Sequence, residues 1–142
     1  MRFWDTSAIV PLLADEPRTP LGRRLFRQDQ AMVVWTLTRT EAFSALCRKR
    51  GEGKLDKAAF EKARTKLAAM ARYWLEIEDL LEVRGYAERF LNEHSLRAAD
   101  ALQLGAAWCH ALGQPKRREF VVFDGPLLDV ANEVGFQVIT PE

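Results

Sequence analysis

The stretch Phe120-Val121-Val122-Phe123-Asp124 places four consecutive apolar residues directly before an acid. A short apolar run of this kind predicts a strand that is buried on both faces. Such strands are typical of parallel sheets that are covered by helices on each side. The stretch therefore predicts a carboxylate at the carboxyl end of a core strand.

The rest of the chain alternates short strand patterns with helical ones. Further strands are predicted at 2–4, 32–35, 74–77 and 136–139. Helices are predicted at 7–11, 17–28, 38–50, 80–93, 96–112 and 126–133, with one more after a cap at Asp56. Pro11 is expected to end or kink the first helix. This alternation predicts an α/β fold in three layers, α/β/α, around a twisted, mostly parallel sheet of four to five strands.

The composition indicates one folded domain that spans residues 1–142. Hydrophobic residues make up 48% and charged residues 29%, which is ordinary for a soluble globular protein. No apolar run reaches the roughly 20 residues that a membrane helix needs, and the first residues carry no secretory hydrophobic segment. We therefore expect a cytoplasmic protein with no membrane contact, in which Cys47 and Cys109 are buried free thiols.

The formal net charge is only +1, but the basic residues cluster. Residues 48–72 carry a charge of +6, whereas the rest of the chain carries −5. The segment lies within a basic helical hairpin predicted at about 38–72. Two interpretations stay open: the hairpin is a solvated face, or it faces a polyanion or an acidic partner.

Three acids fall on one edge of the predicted sheet. Asp5 and Asp124 each follow a strand directly, and Glu41 lies one helical turn into the helix after the second strand. Chemistry gathers at the carboxyl ends of such strands. The alternative interpretation is helix capping, with Asp5 and Asp124 as N-caps and Glu41 in a capping box that reaches back to Thr38.

Asp100 is a different kind of candidate. Its helix is apolar almost all round, and only Arg97, Asp100 and Gln103 form a narrow polar stripe. A predicted cap at Ser95 puts Asp100 beyond the first turn, where it cannot serve as a cap. A buried carboxylate needs a partner, so we expect either an ion pair with Arg97 or a divalent cation that Asp100 shares with the other acids.

Clustered carboxylates suit Mg²⁺ or Mn²⁺, which prefer hard oxygen ligands. Such ions promote phosphodiester hydrolysis because they activate a bound water and offset charge in the transition state. Thr6 and Ser7 follow Asp5, and their hydroxyls could hold a water or a phosphate, or cap the short helix. The residues thus predict a metal-dependent hydrolase, with four acids as candidate catalytic and metal-binding residues: Asp5, Glu41, Asp100 and Asp124.

With these residues in place, the chain resembles the PIN domain, and within it the VapC-type toxins of bacterial toxin–antitoxin pairs. The resemblance covers nearly the whole chain, and it lies in four stretches taken in order. They are FWDTSA at 3–8, LTRTEA at 37–42, LRAADALQL at 96–104, and VVFDGPLL at 121–128 with the closing GFQVITP at 135–141.

The resemblance implies that metal-activated water cleaves single-stranded RNA and leaves a 5′-phosphate and a 3′-hydroxyl. It also implies a homodimer, and a cognate antitoxin that blocks the acidic site and lies in a groove near the basic hairpin. By position, Asp5, Glu41, Asp100 and Asp124 match the four acids of the family. Departures from the usual pattern are Val122 in place of a common Thr, the pair Gly125-Pro126, and the bulky Trp4.

Two rival functions stay open. An aspartyl-nucleophile phosphatase would want a second acid two residues after Asp5, where this chain has Ser7. A PIN-like binding module without catalysis would act through its dimer or its partner, and the intact set of acids argues against it.

Overall fold

In the computed structural model, which describes residues 1–139, strands and helices alternate along the chain. The elements are β1 Arg2–Trp4, α1 Thr6–Leu13, α2 Thr19–Gln28, β2 Met32–Trp35, α3 Thr38–Gly51, α4 Lys57–Met70, β3 Leu75–Ile77, α5 Leu80–Glu93, α6 Ala98–Ala111, a 3₁₀ helix Pro115–Arg117, β4 Glu119–Val121, α7 Gly125–Glu133 and β5 Gln137–Ile139. Thr140 and Pro141, which close the fourth stretch of the resemblance, lie outside the described residues.

The five strands within residues 1–139 form one parallel sheet in the order β3-β2-β1-β4-β5. Phe3 in the central strand pairs with Val33 on one side and with Phe120 on the other. The chain runs outward from β1 to β3 and then returns to β4, so the strand order reverses between β1 and β4. In open α/β sheets, ligands bind at the carboxyl ends of the strands at such a reversal.

Side chains alternate between the two faces of the sheet, as strand geometry requires. Trp4, Val34 and Val121 pack with α1–α4 in the first core, while Phe3 and Val33 pack with α5–α7 in the second. All five side chains are fully buried. The alternation explains the unbroken apolar runs in the sequence, and it confirms the expected three-layer α/β/α fold with a parallel sheet.

Several element boundaries differ from the sequence prediction, among them those of α1 and β4. Pro11 does not end α1, which continues to Leu13 because this segment is buried in the first core. The strand predicted at 120–123 is instead β4 at Glu119–Val121, so Asp124 comes three residues after the strand. Val122 and Phe123 are buried on opposite faces of the sheet although they lie outside the strand.

The hairpin of α3 and α4 uses some of its basic side chains internally. The Arg50 guanidinium lies 4.0 Å from the centre of the Phe60 ring, and that of Arg64 lies 5.5 Å from the centre of Phe43. These stacks help to hold α3 against α4.

Cys47 and Cys109 are free thiols, but each is half-buried rather than buried. No helix in the described part of the chain is long and apolar enough to cross a membrane.

Candidate active site

Asp5 lies between the end of β1 and the start of α1. Its backbone N–H donates to Val121 O at 3.0 Å, which ties β1 to β4. Its Oδ2 accepts a hydrogen bond from the Ser7 backbone N–H at 3.0 Å, so Asp5 is the N-cap of α1. The side chain is nevertheless only 4% exposed. Capping uses one carboxylate oxygen, and an ionised carboxylate has about four acceptor sites, so a cap is not excluded from a second role.

Ser7 joins the ends of the two central strands. Its Oγ accepts from the backbone N–H of Phe123 at 2.9 Å and from that of Asp124 at 3.2 Å. Asp124 in turn accepts from Leu127 N at 3.2 Å and caps α7. The Ser7 hydroxyl therefore fixes the loop that carries Asp124. The expectation that Ser7 caps the short helix is wrong, because Asp5 already does so.

Helix α6 begins later than predicted, at Ala98. The residue at its N-cap is Arg97, which has an extended backbone and makes no capping bond with its side chain, while Ser95 is exposed. Asp100 therefore lies in the first turn and is half-buried. The prediction that it lies beyond the first turn is wrong. Its position suits a carboxylate, because the positive end of the helix dipole is there.

The expected ion pair between Asp100 and Arg97 does not form in the described residues, where no nitrogen of Arg97 comes within 4.0 Å of a carboxylate oxygen. Arg97 is exposed, and its charge acts on Asp100 only from a distance. Asp100 thus has no cationic partner in direct contact.

Gln103 lies one turn after Asp100 and is 1% exposed. Its Nε2 lies 2.9 Å from Glu41 Oε1 and 3.0 Å from both Thr6 Oγ1 and Thr38 Oγ1. The capping box predicted for Thr38 and Glu41 is wrong. Thr38 is the first residue of α3 rather than its cap, and its hydroxyl accepts from Gln103.

The four acids influence one another electrostatically. Burial first, and the charges of Asp100 and Asp124 to a smaller extent, raise the pKa of Asp5 to about 6 against the lowering effect of the hydrogen bonds from Ser7. Burial likewise raises the pKa of Glu41 to about 7, with added repulsion from Asp5 and Asp100. Burial and then Asp124 raise the pKa of Asp100. The fold therefore brings the four predicted acids close enough to repel each other.

An open cleft of about 730 Å³ lies over these acids. Glu41 and Asp124 line it together with Thr6 and Ser7. Four basic residues also line it: Arg18, Arg48, Lys49 and Arg97. Lys49 pairs with Glu16 at 3.3 Å, and Arg18 donates to the backbone oxygen of Phe123. Asp5 and Asp100 are not among the residues that line the cleft. We call its acidic side chains Glu41 and Asp124 the floor and its four basic side chains the rim.

No three Asp, Glu, His or Cys side chains within residues 1–139 are arranged to hold one metal ion between them. This does not conflict with Mg²⁺, which usually keeps several waters and takes only one or two protein carboxylates directly. The donors here are hard oxygens that repel each other, and bound cations relieve such repulsion. The donor set fits a hydrated Mg²⁺ or Mn²⁺ and does not fit a closed cage.

Sequence reasoning missed the roles of two residues, Arg18, which lines the cleft, and Gln103, which is buried and does not line it. Arg18 gave no signal, because its contact with Phe123 joins positions 105 residues apart. Gln103 did give a signal, because it is an amide in an otherwise apolar helix.

Val122 is fully buried in the second core, so the hydroxyl that it lacks relative to many PIN domains would lie in that core rather than in the cleft.

The similarity to known proteins agrees with this architecture. No family model matches the chain. Ribonuclease VapC47 of Mycobacterium tuberculosis (strain CDC 1551 / Oshkosh) is 32% identical over 99% of this chain and 97% of that protein. A toxin–antitoxin complex from Klebsiella pneumoniae has a chain of the same fold, with a TM-score of 0.68, 12% identity, and coverage of 100% of this chain and 98% of that one.

A second solved structure, FitAB bound to an IR36 DNA fragment, has a TM-score of 0.62 and 15% identity over 99% of this chain and 94% of that one. These two likenesses show the fold, and the identity to the VapC47 ribonuclease over nearly the full length shows the family. The chain therefore belongs to the VapC-type PIN-domain ribonucleases of toxin–antitoxin systems.

Proposed function

We propose that this chain, as a single domain over residues 1–142, is a toxin that hydrolyses single-stranded RNA with Mg²⁺ or Mn²⁺. Asp5, Glu41, Asp100 and Asp124 would hold the ion, one or two of them directly and the others through its bound waters. The observation that carries the proposal is a group of acids near the reversal of strand order in which burial first, and the charges of neighbouring acids second, raise the pKa of Asp5, Glu41 and Asp100. A structural role alone would not favour four carboxylates with so little compensating charge.

A divalent cation at this site would lower the pKa of a bound water and offset negative charge on the phosphate in the transition state. The protein supplies the remaining functions. Ser7 keeps Asp124 in place through the backbone of the loop.

The basic rim supports RNA as the substrate. Arg18, Arg48 and Arg97 line the opening above the acids, and guanidinium groups bind phosphates by charge and by paired hydrogen bonds. An acidic floor without such a rim would repel a polyanion. The arrangement allows the strand to bind at the rim while one phosphate reaches the floor.

A cognate antitoxin and a second copy of the chain are the proposed protein partners. The likeness to the Klebsiella pneumoniae toxin–antitoxin complex supports an antitoxin. The +6 segment at 48–72 supports an antitoxin with an acidic contact region. The homodimer rests on the family resemblance.

One observation favours a second candidate, a PIN-like binding module without catalysis. The described residues form no closed set of metal ligands, and a module that has lost its metal would need none. The two candidates differ in whether the protein turns over RNA.

Incubation of the purified protein with a mixed RNA pool distinguishes them. The reactions contain Mn²⁺ or EDTA and compare the wild type with Asp100→Asn and with Asp56→Asn. Asp56 is the matched control, because it is an exposed N-cap of α4 that accepts from Ala59 N at 2.8 Å, and Asn caps helices equally well.

We expect the wild type and Asp56→Asn to cleave only with Mn²⁺, leaving 5′-phosphate ends, and Asp100→Asn to lose more than about 100-fold in rate. Equal cleavage in EDTA, or by Asp100→Asn, would contradict the metal mechanism. No cleavage by any sample would favour the binding module.

A further inference from the structure

Gln103 is the only amide side chain among the four buried polar side chains of the described residues. It links its own helix to two others. From α6 it reaches Thr6 in α1 and both Thr38 and Glu41 in α3. Asp5 directly precedes Thr6, and Asp100 lies one turn before Gln103 on the same helix. One side chain therefore connects the segments that carry three of the four acids.

The hydrogen-bond chemistry fixes the orientation of this amide. When Glu41 is ionised, as it must be to bind a cation, its Oε1 accepts bonds only, so the amide nitrogen faces it, because the amide oxygen would repel it. The nitrogen has two hydrogens for three acceptors at 2.9–3.0 Å. The charged acceptor makes the stronger bond, so Glu41 holds one hydrogen and the two threonine hydroxyls share the other.

We propose that Gln103 is a positioning residue that holds Glu41 in the orientation needed to bind a divalent cation. The inference rests on the proposed function and extends it to a residue that itself touches neither cation nor RNA. Partners that orient direct metal ligands commonly contribute 10- to 100-fold to metal affinity. Glu41 has no cationic neighbour within 4.0 Å in the described part of the chain. Of the two side chains that hydrogen-bond to its carboxylate, Gln103 has the larger effect on it and Thr6 the smaller, so Gln103 is the better placed to restrain it.

Calorimetric titration of the full chain with Mn²⁺ tests this, in a double-mutant cycle of Gln103→Met and Glu41→Gln. Met matches the length of Gln but donates no hydrogen bond. We expect Gln103→Met to raise the Kd for Mn²⁺ by about 10- to 100-fold in the wild-type background. In the Glu41→Gln background the same change should have almost no effect, because the two residues act as a unit.

Trp74→Phe is the matched control for loss of a buried hydrogen bond. Trp74 is 8% exposed, and its Nε1 donates to Glu76 Oε2 at 2.9 Å beside the edge strand β3. This variant should bind Mn²⁺ with the wild-type Kd even if it melts earlier. If Gln103→Met does not fold, Gln103→Asn takes its place in the cycle, since it keeps the amide but shortens its reach.

The outcomes separate the inference from the proposed function. A wild type that binds Mn²⁺ and a Gln103→Met variant with a Kd within twofold of it would overturn the inference alone. Equal losses in both Glu41 backgrounds would also overturn it, because they would indicate a general structural effect. A wild type that does not bind Mn²⁺ would overturn the inference and the metal mechanism together.

Discussion

The first turn of α6 and the middle of the same helix differ in how favourable their surroundings are. The first turn carries Asp100, a carboxylate that is half-buried near other carboxylates without a cation in contact. The middle is packed so closely that a Cβ added at Gly105 would lie 2.7 Å from Val83 O in α5. In the first turn, burial and the charge of Asp124 outweigh the favourable helix dipole and disfavour the charged form of Asp100, whereas the middle of the helix is tightly packed. The difference indicates that the tight packing supports the fold and the repelling acids serve function.

If the comparison is right, changes at the acids and changes in the packed middle should have opposite effects. Acid-to-amide changes should remove activity without loss of stability, because they relieve repulsion. Changes in the middle should reduce stability without a specific loss of activity.

The largest effect is expected for Asp5→Asn. We expect the cleavage rate to fall by more than about 100-fold, because a direct metal ligand should matter more than the 10- to 100-fold typical of its supporting partners. The metal-free variant should be at least as stable as the wild type at pH 8, because Asn still caps α1 and carries no buried charge. Cleavage assays and urea denaturation at pH 8 measure the two quantities. A variant that loses activity only in proportion to its unfolded fraction would show that Asp5 serves the fold rather than the function.

The pH dependence of stability gives the second test. The folded-state pKa values of Asp5 and Glu41, about 6 and about 7, lie above the ordinary values of 3.8 and 4.5. The folded state therefore holds these protons more tightly than the unfolded state does. The stability that these two protonated groups add to the folded state is fully present below about pH 4, and it is lost as the pH rises through about 6 to 7. For Asp5 alone the shift corresponds to about 3 kcal/mol.

We therefore expect the unfolding free energy of the metal-free wild type, relative to Asp5→Asn, to fall between pH 4 and pH 8. Urea denaturation of both proteins in EDTA across this range measures the difference. A constant difference, or one that grows in favour of the wild type as the pH rises, would show that burial and the neighbouring acids do not raise the pKa of Asp5.

Gly105→Ala tests the packed middle and should have a smaller effect. The added methyl group would meet Val83 O at 2.7 Å and Ala87 N at 3.2 Å, both of them backbone atoms that cannot rotate away. Such overpacking costs about 1–3 kcal/mol. Thermal and urea denaturation should show this loss, while the cleavage rate per folded molecule stays at the wild-type value.

Gly85→Ala is the matched control for that change. Gly85 is an exposed residue of α5, and a Cβ there meets no atom within 4 Å. We expect it to stabilise the protein by about 0.5–1 kcal/mol, because Ala favours the helix. A Gly105→Ala variant as stable as Gly85→Ala would refute the close approach of α5 and α6.

The sequence predicts the layers of this fold well, because apolar runs such as 120–123 report burial on both faces directly. It predicts helix starts less well. Ser95 and Thr38 both have the chemistry of a cap, but Ser95 stays exposed and the Thr38 hydroxyl bonds to Gln103. Local capping preferences are weak, and a contact from a distant helix outweighs them.

The candidate site shows the same limit. The alternation of strands and helices places Asp5 and Asp124 at one edge of the sheet, so their proximity follows from the topology. The bond between Gln103 and Glu41 joins positions 62 residues apart and depends on how α6 packs against α3. For Asp5, capping does not exclude the proposed role as a ligand, because it caps α1 with one oxygen and lies near Asp100 and Asp124 as well.

The central claim is that the four acids form one site for a divalent cation, and melting curves with and without Mn²⁺ test it most directly. At a concentration of Mn²⁺ a hundredfold above its Kd, binding to the folded state adds about 2.7 kcal/mol. We predict that the melting temperature of the wild type and of Asp56→Asn rises by several degrees, while that of Asp100→Asn barely moves. A wild-type melting temperature that does not respond to Mn²⁺, or an equal rise in Asp100→Asn, would contradict the claim.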